Sequence, residues 1–449
     1  MFEKKSLAFL EGWVDGLEKI GSGLPDFTPE ADLEGIRKVM ALVVERMRDN
    51  LPYAHPLYVG QMLKPPHPVA RLAYTLSLSL NPNNHSLEVG RASSEMEKEA
   101  VAHLAQLFGW ETHLGHLCGG GTLANLEALW ISSQVKSGRK ILASSQAHYT
   151  HERLCHVLGI PFQKVDCNSR GQMDLDALKK ALDQGNVGTV VATLGTTQLG
   201  AVDPLNELLT LKASMDIRIH ADAAYGGYFT LCENLRSETR AAYESLRGVD
   251  SIVVDPHKHG LQPYGCGCVL FHDPTVVQFY KHDSPYTYFS SSDLHLGEIS
   301  LECSRPGASA VALWATQQLM PCVPGGKFAQ DLSQSRKTAL ELFNKLKTDD
   351  RFLTTLEPEL DILVWGPRAK SAGRISRLSK RIYDLAAKNG LHLALTQMPS
   401  SKLQAQWKEV AWDQEFVTLL RSCFLKSEHL DWLDEIWNRL STAVEQAVL

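Results

Sequence analysis

The chain has no apolar run long enough to span a bilayer, no cluster of lysines and arginines, and no ordered cysteine framework. The first absence excludes a helical membrane anchor, which needs about 20 consecutive apolar residues. The second argues against nucleic acid as the main partner: 45 Lys and Arg face 51 Asp and Glu, a net charge of −6, and no basic stripe is available to neutralise phosphates. The nine cysteines are scattered and odd in number, which suits a reducing cytoplasm better than a disulfide scaffold. Cys266 and Cys268 lack a second ligand pair at zinc spacing and read as small strand residues, so no metal is expected. Nor does the start, Met1-Phe2-Glu3-Lys4-Lys5-Ser6, lead into the continuous apolar stretch of a signal peptide. Internal repeats and low-complexity segments are also missing.

What is present is ample apolar material, 44% over 449 residues, enough for a large core and more than one domain. Leu7, Phe9, Leu10, Trp13 and Leu17, then Ile36, Met40, Val43 and Met47, recur at helical spacing and predict a helical segment over 1–60. From Gly159 onward helices alternate with apolar strands. Those at 189–194, 217–221 and 251–254, with 140–143 before them, predict a largely parallel sheet over 61–325 with ligands at its C-terminal edge. Pro321-Cys322-Val323-Pro324-Gly325-Gly326 punctuates the chain. A smaller domain is expected over 326–449, with strands near 360–365, 391–397 and 416–424 and a closing amphipathic helix.

Two motifs at strand ends carry chemistry. The strand 251–254 runs into Asp255-Pro256-His257-Lys258-His259-Gly260, which presents a lysine between two histidines. A lysine reacts as a nucleophile only without its proton, and a buried, cation-flanked setting favours that form. Upstream, His220-Ala221-Asp222-Ala223-Ala224-Tyr225-Gly226-Gly227 sets an acid at a strand end, followed by residues small enough to admit a flat group. A lysine and an acid so placed suit pyridoxal 5'-phosphate, the lysine for its aldehyde and the carboxylate for its ring nitrogen. Gly119-Gly120-Gly121-Thr122 precedes a helix and reads as an anion cradle. No lysine follows at the spacing of a nucleotide-binding loop.

These motifs, with Gln146-Ala147-His148 and Leu194-Gly195-Thr196-Thr197, keep one order from His55 to about Leu425. The ordered set resembles the group II pyridoxal-phosphate-dependent amino acid decarboxylases, which act on aromatic amino acids, glutamate, cysteine sulfinate or diaminobutyrate. The resemblance implies an α/β fold of the fold-type I transferase-like class: a mostly parallel seven-stranded sheet flanked by helices, plus a smaller α+β C-terminal domain. It implies that Lys258 holds the cofactor as a Schiff base, Asp222 keeps the ring nitrogen protonated, and His148 stacks on the ring face. Gly120, Gly121 and Thr122 would hold the phosphate, Thr196 would approach the ring substituents, Ala224 would pack beneath the ring, and Asp255 and His257 would complete the cofactor site.

On the substrate side, the His55-Pro56 segment leads to Gln61, and Arg421 in Val417-Thr418-Leu419-Leu420-Arg421 would clamp the α-carboxylate. Tyr286, or next Tyr288, would protonate the substrate carbon from a loop entering the partner's site. A tyrosine rather than a phenylalanine there implies simple decarboxylation instead of oxidative aldehyde formation. Arg305 has three readings: a loop anchor, a phosphate ligand or a helix-start salt bridge. His151 and His156 receive no role. The N-terminal segment implies a homodimer with active sites at the subunit interface. The expected reaction converts an L-amino acid, acidic or aromatic, to its amine and CO₂. A carbon–carbon lyase or aminotransferase on the same fold, and a non-catalytic binding protein, remain as alternatives.

Overall fold

The computed structural model describes residues 4–25, 27, 30–281 and 295–448. Seven strands build the main sheet: β1 (Leu114–Cys118), β2 (Lys140–Ser144), β3 (Phe162–Val165), β4 (Val187–Thr193), β5 (Arg218–Asp222), β6 (Ser251–Val254) and β7 (Gly267–Phe271). Their spatial order is β1-β7-β6-β5-β4-β2-β3. All pairings from β3 to β6 are parallel, and β7 runs antiparallel to both β6 and β1. Every residue of β4, β5 and β6 is buried, as expected for parallel strands covered by helices on both faces. The register aligns Thr193 with Asp222 and Asp222 with Val253, so the central strands end together and release their loops at one edge.

A smaller antiparallel sheet, ordered β10-β11-β9-β8, comprises β8 (Phe352–Thr354), β9 (Ile362–Pro367), β10 (Ala394–Pro399) and β11 (Phe416–Cys423). The long helix Lys327–Thr348 starts directly after the Pro-Gly punctuation and packs Ala339, Leu342 and Leu346 into this sheet's core with Phe352 and Trp365. The fold is the one expected; β8 is an addition, too short at three residues to leave a periodic signal.

The two N-terminal helices, Leu10–Glu18 and Leu33–Met47, contain no buried residue. Leu33, Leu42 and Met47 are 70%, 60% and 63% exposed, so this pair is not part of the chain's own core. Among the described residues no helix is long and apolar enough to cross a membrane, and no group of His, Cys, Asp and Glu could hold a metal ion.

Candidate active site

A cavity of about 700 Å³ opens where β4, β5 and β6 end, lined by Gly120, Thr122, His148, Asp222, Ala224 and Lys258 among others. Strand β1 delivers the glycine run to the start of the helix Gly121–Val135, whose first N–H groups lack partners within the helix and favour an anion. Glycine is needed here for space. A Cβ on Gly121 would lie 2.7 Å from Asp255 Oδ2, and one on Gly267 would lie 2.5 Å from Gly120 Cα.

Arg305 secures this cradle from behind. Its buried guanidinium donates to Glu97 Oε1 at 2.9 Å and to the Leu117 carbonyl, while the same Glu97 oxygen accepts the Leu117 N–H at 2.9 Å. Of the three readings of Arg305 the salt bridge holds, but as a buried latch on β1. The residue does not line the cavity.

Asp222 closes the far end. Its Oδ2 accepts from His151 Nε2 at 2.8 Å and its Oδ1 from the Ala224 N–H at 3.2 Å. Burial pushes the carboxyl up, but the His151 hydrogen bond and charge, with Lys258 beyond, outweigh it and hold Asp222 well below the usual carboxylate range. His151 is thus a site residue, against the expectation of no role. Its only signal was its place three residues after His148, at the start of the helix Thr150–Leu158. His220 backs this pair, bonded to Asn125 Oδ1 and Ser251 Oγ at 2.9 Å each, and burial pulls it down to about 3, so it is neutral.

Lys258 Nζ stands 3.0 Å from Asp255 Oδ2, and His257 Nε2 is 3.5 Å from the same oxygen. The lysine is therefore carboxylate-paired rather than flanked by cations. His257 Nδ1 donates to the Cys266 carbonyl at 2.8 Å, and burial, opposed by Asp255, lowers its pKa. His148 is lowered chiefly by burial too, and its Nδ1 accepts the Thr150 N–H at 3.3 Å, which leaves the ring proton on Nε2. The set fits pyridoxal phosphate: a glycine cradle that no side chain could share, a carboxylate held ionised, a half-buried lysine, and a buried Asp255 Oδ1 with no hydrogen-bond partner among the described residues.

Residues 127–365 match the pyridoxal-dependent decarboxylase conserved domain. The chain belongs to this decarboxylase family. A probable L-tyrosine/L-aspartate decarboxylase of Methanothermobacter thermautotrophicus is 31% identical over 265 residues, which cover 58% of this chain and 70% of that protein. The L-aspartate decarboxylase of Thermococcus kodakarensis is 26% identical over 368 residues, 81% and 93% of the two chains. Mouse CSAD shares the fold at 19% identity, with a TM-score of 0.77 over 98% of this chain and 99% of that one. The protein is thus a pyridoxal-phosphate-dependent carboxy-lyase acting on an L-amino acid. That settles the reaction class against the lyase, aminotransferase and non-catalytic alternatives.

In this decarboxylase the substrate-side expectations meet the structure unevenly. Gln61 and Arg421 are brought together: Arg421 Nη2 donates to Gln61 Oε1 at 2.5 Å and Nη1 to the Thr197 carbonyl at 2.9 Å; neither lines the cavity itself, which Arg421 reaches through Thr197 in its wall. Thr196 does not reach the cavity, because its hydroxyl accepts the Ala201 N–H at 3.0 Å within the turn; Gly195 and Thr197 line the wall instead. His55 faces away from the cofactor site, packed edge-on against Trp432 at 4.9 Å between ring centroids. Tyr286 and Tyr288 lie outside the described residues.

Proposed function

We propose that the enzyme removes the α-carboxylate of an acidic L-amino acid, aspartate or glutamate. The carrying observation is the Gln61–Arg421 contact. The guanidinium can only donate, so it fixes the Gln61 amide with Oε1 toward Arg421 and its NH₂ turned away. Gln61 is exposed, and that NH₂ has no hydrogen bond among the described residues. A second carboxylate on the substrate would replace the water that this NH₂ otherwise meets with a charged acceptor, whereas an aromatic side chain would displace the water and leave the amide unpaired. The curated relatives whose names include L-aspartate support the same reading.

Bound pyridoxal phosphate would supply the electron sink for the bond that breaks. Around it, Lys258, released from Asp255, would engage the aldehyde and would be available to carry a proton. Asp222, kept ionised by His151, would hold a proton on the ring nitrogen. His148 and Ala224 would pack against the ring, and the Gly120-Gly121-Thr122 helix start would take the phosphate. Arg421 would orient the departing carboxylate, and Tyr286, or Tyr288, would protonate Cα. A cytoplasmic homodimer is part of the proposal, supported by the uncovered apolar faces of the helices Leu10–Glu18 and Leu33–Met47. Incubation of the purified enzyme with L-aspartate, L-glutamate and L-tyrosine tests the substrate: CO₂ and β-alanine from aspartate, or the corresponding γ-amino acid from glutamate, are expected. Release from tyrosine alone would overturn the acidic reading.

A further inference from the structure

On the other side of the Asp255–Gly260 turn lies a second cavity of about 710 Å³, between the main sheet's loops and the small domain. Its lining shares no residue with the catalytic cavity. Lys258 faces one space and His259, the next residue, faces the other.

The walls of this second space hold an unusual charge arrangement. Lys426 is 4% exposed, and its ammonium donates to the Tyr58 carbonyl at 2.8 Å; Lys64 donates to the Leu425 carbonyl at 2.9 Å. Neither has a carboxylate within ion-pair distance among the described residues. The third lysine of the lining, Lys327, is already paired with Asp331. Each ammonium carries three protons and uses one on a carbonyl. Burial pulls Lys64 down to about 8 against the charges of Glu428, Asp331 and Asp361, and pulls Lys426 to about 7, where the charge of Lys64 adds to the fall and Glu428 opposes it. His259 is fully buried, and neither of its ring nitrogens has a hydrogen-bond partner among the described residues. Glu428 and Asp331 also line this cavity and partly offset its charge from beyond ion-pair distance of Lys64 and Lys426, but with Lys327 counted three cations face two carboxylates, and the two lysines that lack a direct partner leave room for an anion.

We propose that this cavity binds a small doubly charged oxyanion, a phosphate or a compact dicarboxylate, held by Lys64 and Lys426. A route to the catalytic cavity is built in. His259 packs edge-on against Tyr225 at 4.9 Å between ring centroids, its Nε2 lying 3.3 Å from Asp361 Oδ2 without a hydrogen bond; Asp361 Oδ1 accepts the Tyr225 hydroxyl at 2.6 Å, and Tyr225 lines the cofactor site. The anion site therefore acts as an effector site, read through Asp361 and Tyr225.

The test is calorimetric titration of the cofactor-loaded enzyme with inorganic phosphate and, separately, with succinate, while the cofactor's absorbance is followed. Saturation by either ion at one per chain, with the cofactor band undiminished, is expected; the undiminished band distinguishes the site from displacement in the glycine cradle. Lys426→Met and the milder Lys64→Gln should each weaken binding about tenfold or more, and Lys64 is exposed enough for its variant to fold. The absence of saturable binding by both ions, or unchanged affinity in both variants, would overturn the proposal. The ion that binds names the class: phosphate or dicarboxylate. The effector role predicts a changed KM for the amino acid at saturating anion, lost in Lys64→Gln; an unchanged KM would reduce the site to binding alone and overturn that role.

Discussion

Lys258 and Lys426 stand in cavities of equal size on opposite sides of one turn, yet their surroundings differ in kind. Lys258 has a carboxylate at 3.0 Å and glycines around it. Lys426 has a backbone carbonyl and is pulled down to about 7 by burial. A search for the most perturbed lysine would choose Lys426. The proposed reactive position is instead marked by the assembly around it: an ionised acid at the neighbouring strand end, an imidazole on the cavity wall, and a glycine-rich helix start. Perturbation alone reports burial, and several groups of different type converging on one space report chemistry.

The sharpest way to break this comparison is to exchange the two lysines' roles. Lys258→Ala should lower kcat at least about a thousandfold and abolish the absorbance of covalently held cofactor. Lys426→Met should leave that band intact, and its loss would break the contrast.

Next in size is the acid. Asp222→Asn should cost about a hundredfold or more in kcat. His151→Asn, which leaves the carboxylate but removes its imidazole partner, should cost about tenfold and move the acid limb of the pH–rate profile upward, because Asp222 then loses the hydrogen bond that holds it low. An unmoved limb would make His151 a packing residue only.

Smaller again is the effect expected at the proposed substrate clamp. Arg421→Lys, which keeps the charge and loses the fork, should lower kcat/KM for an acidic substrate about tenfold to a hundredfold. Gln61→Leu should raise KM for the acidic substrate more than it lowers kcat, as seen in steady-state kinetics.

The smallest expected effect sharpens the comparison by pH. Unfolded Lys426 keeps its proton to about pH 10.4, whereas folded Lys426 keeps it only below about 7. The unfolded chain binds more protons between those values, so stability should climb as pH rises through that window. Urea unfolding between pH 7 and 9 should show this slope, and Lys426→Met should reduce it by about one proton. An unchanged slope would place the lysine in water.

Most of this architecture is written locally. The strands that end at Thr193, Asp222 and Val254 are continuous apolar runs because both faces are covered, and the residue after each run falls at the sheet edge where ligands sit. Lys258, Asp222 and the glycine cradle were legible for that reason, and their chemistry is carried by residue type. What could not be read depended on pairing across long separations. Arg305 finds Glu97 about 200 residues away, and Gln61 finds Arg421 at 360. His151 points at Asp222 only because of how its helix begins. The second cavity draws Lys64, His259 and Lys426 from three distant segments, none with a motif of its own.

The glycine cradle also bears on which sequences lie within reach of this one. A side chain at Gly267 would strike Gly120, one at Gly121 would strike Asp255, and one at Gly120 would press His257 at 3.3 Å while its backbone holds φ at +132°. Each collision involves another member of the same set, so no member can change first. The glycine end of the site is therefore a mutational dead end: single steps away from it press on the lysine's own turn or on the cradle itself.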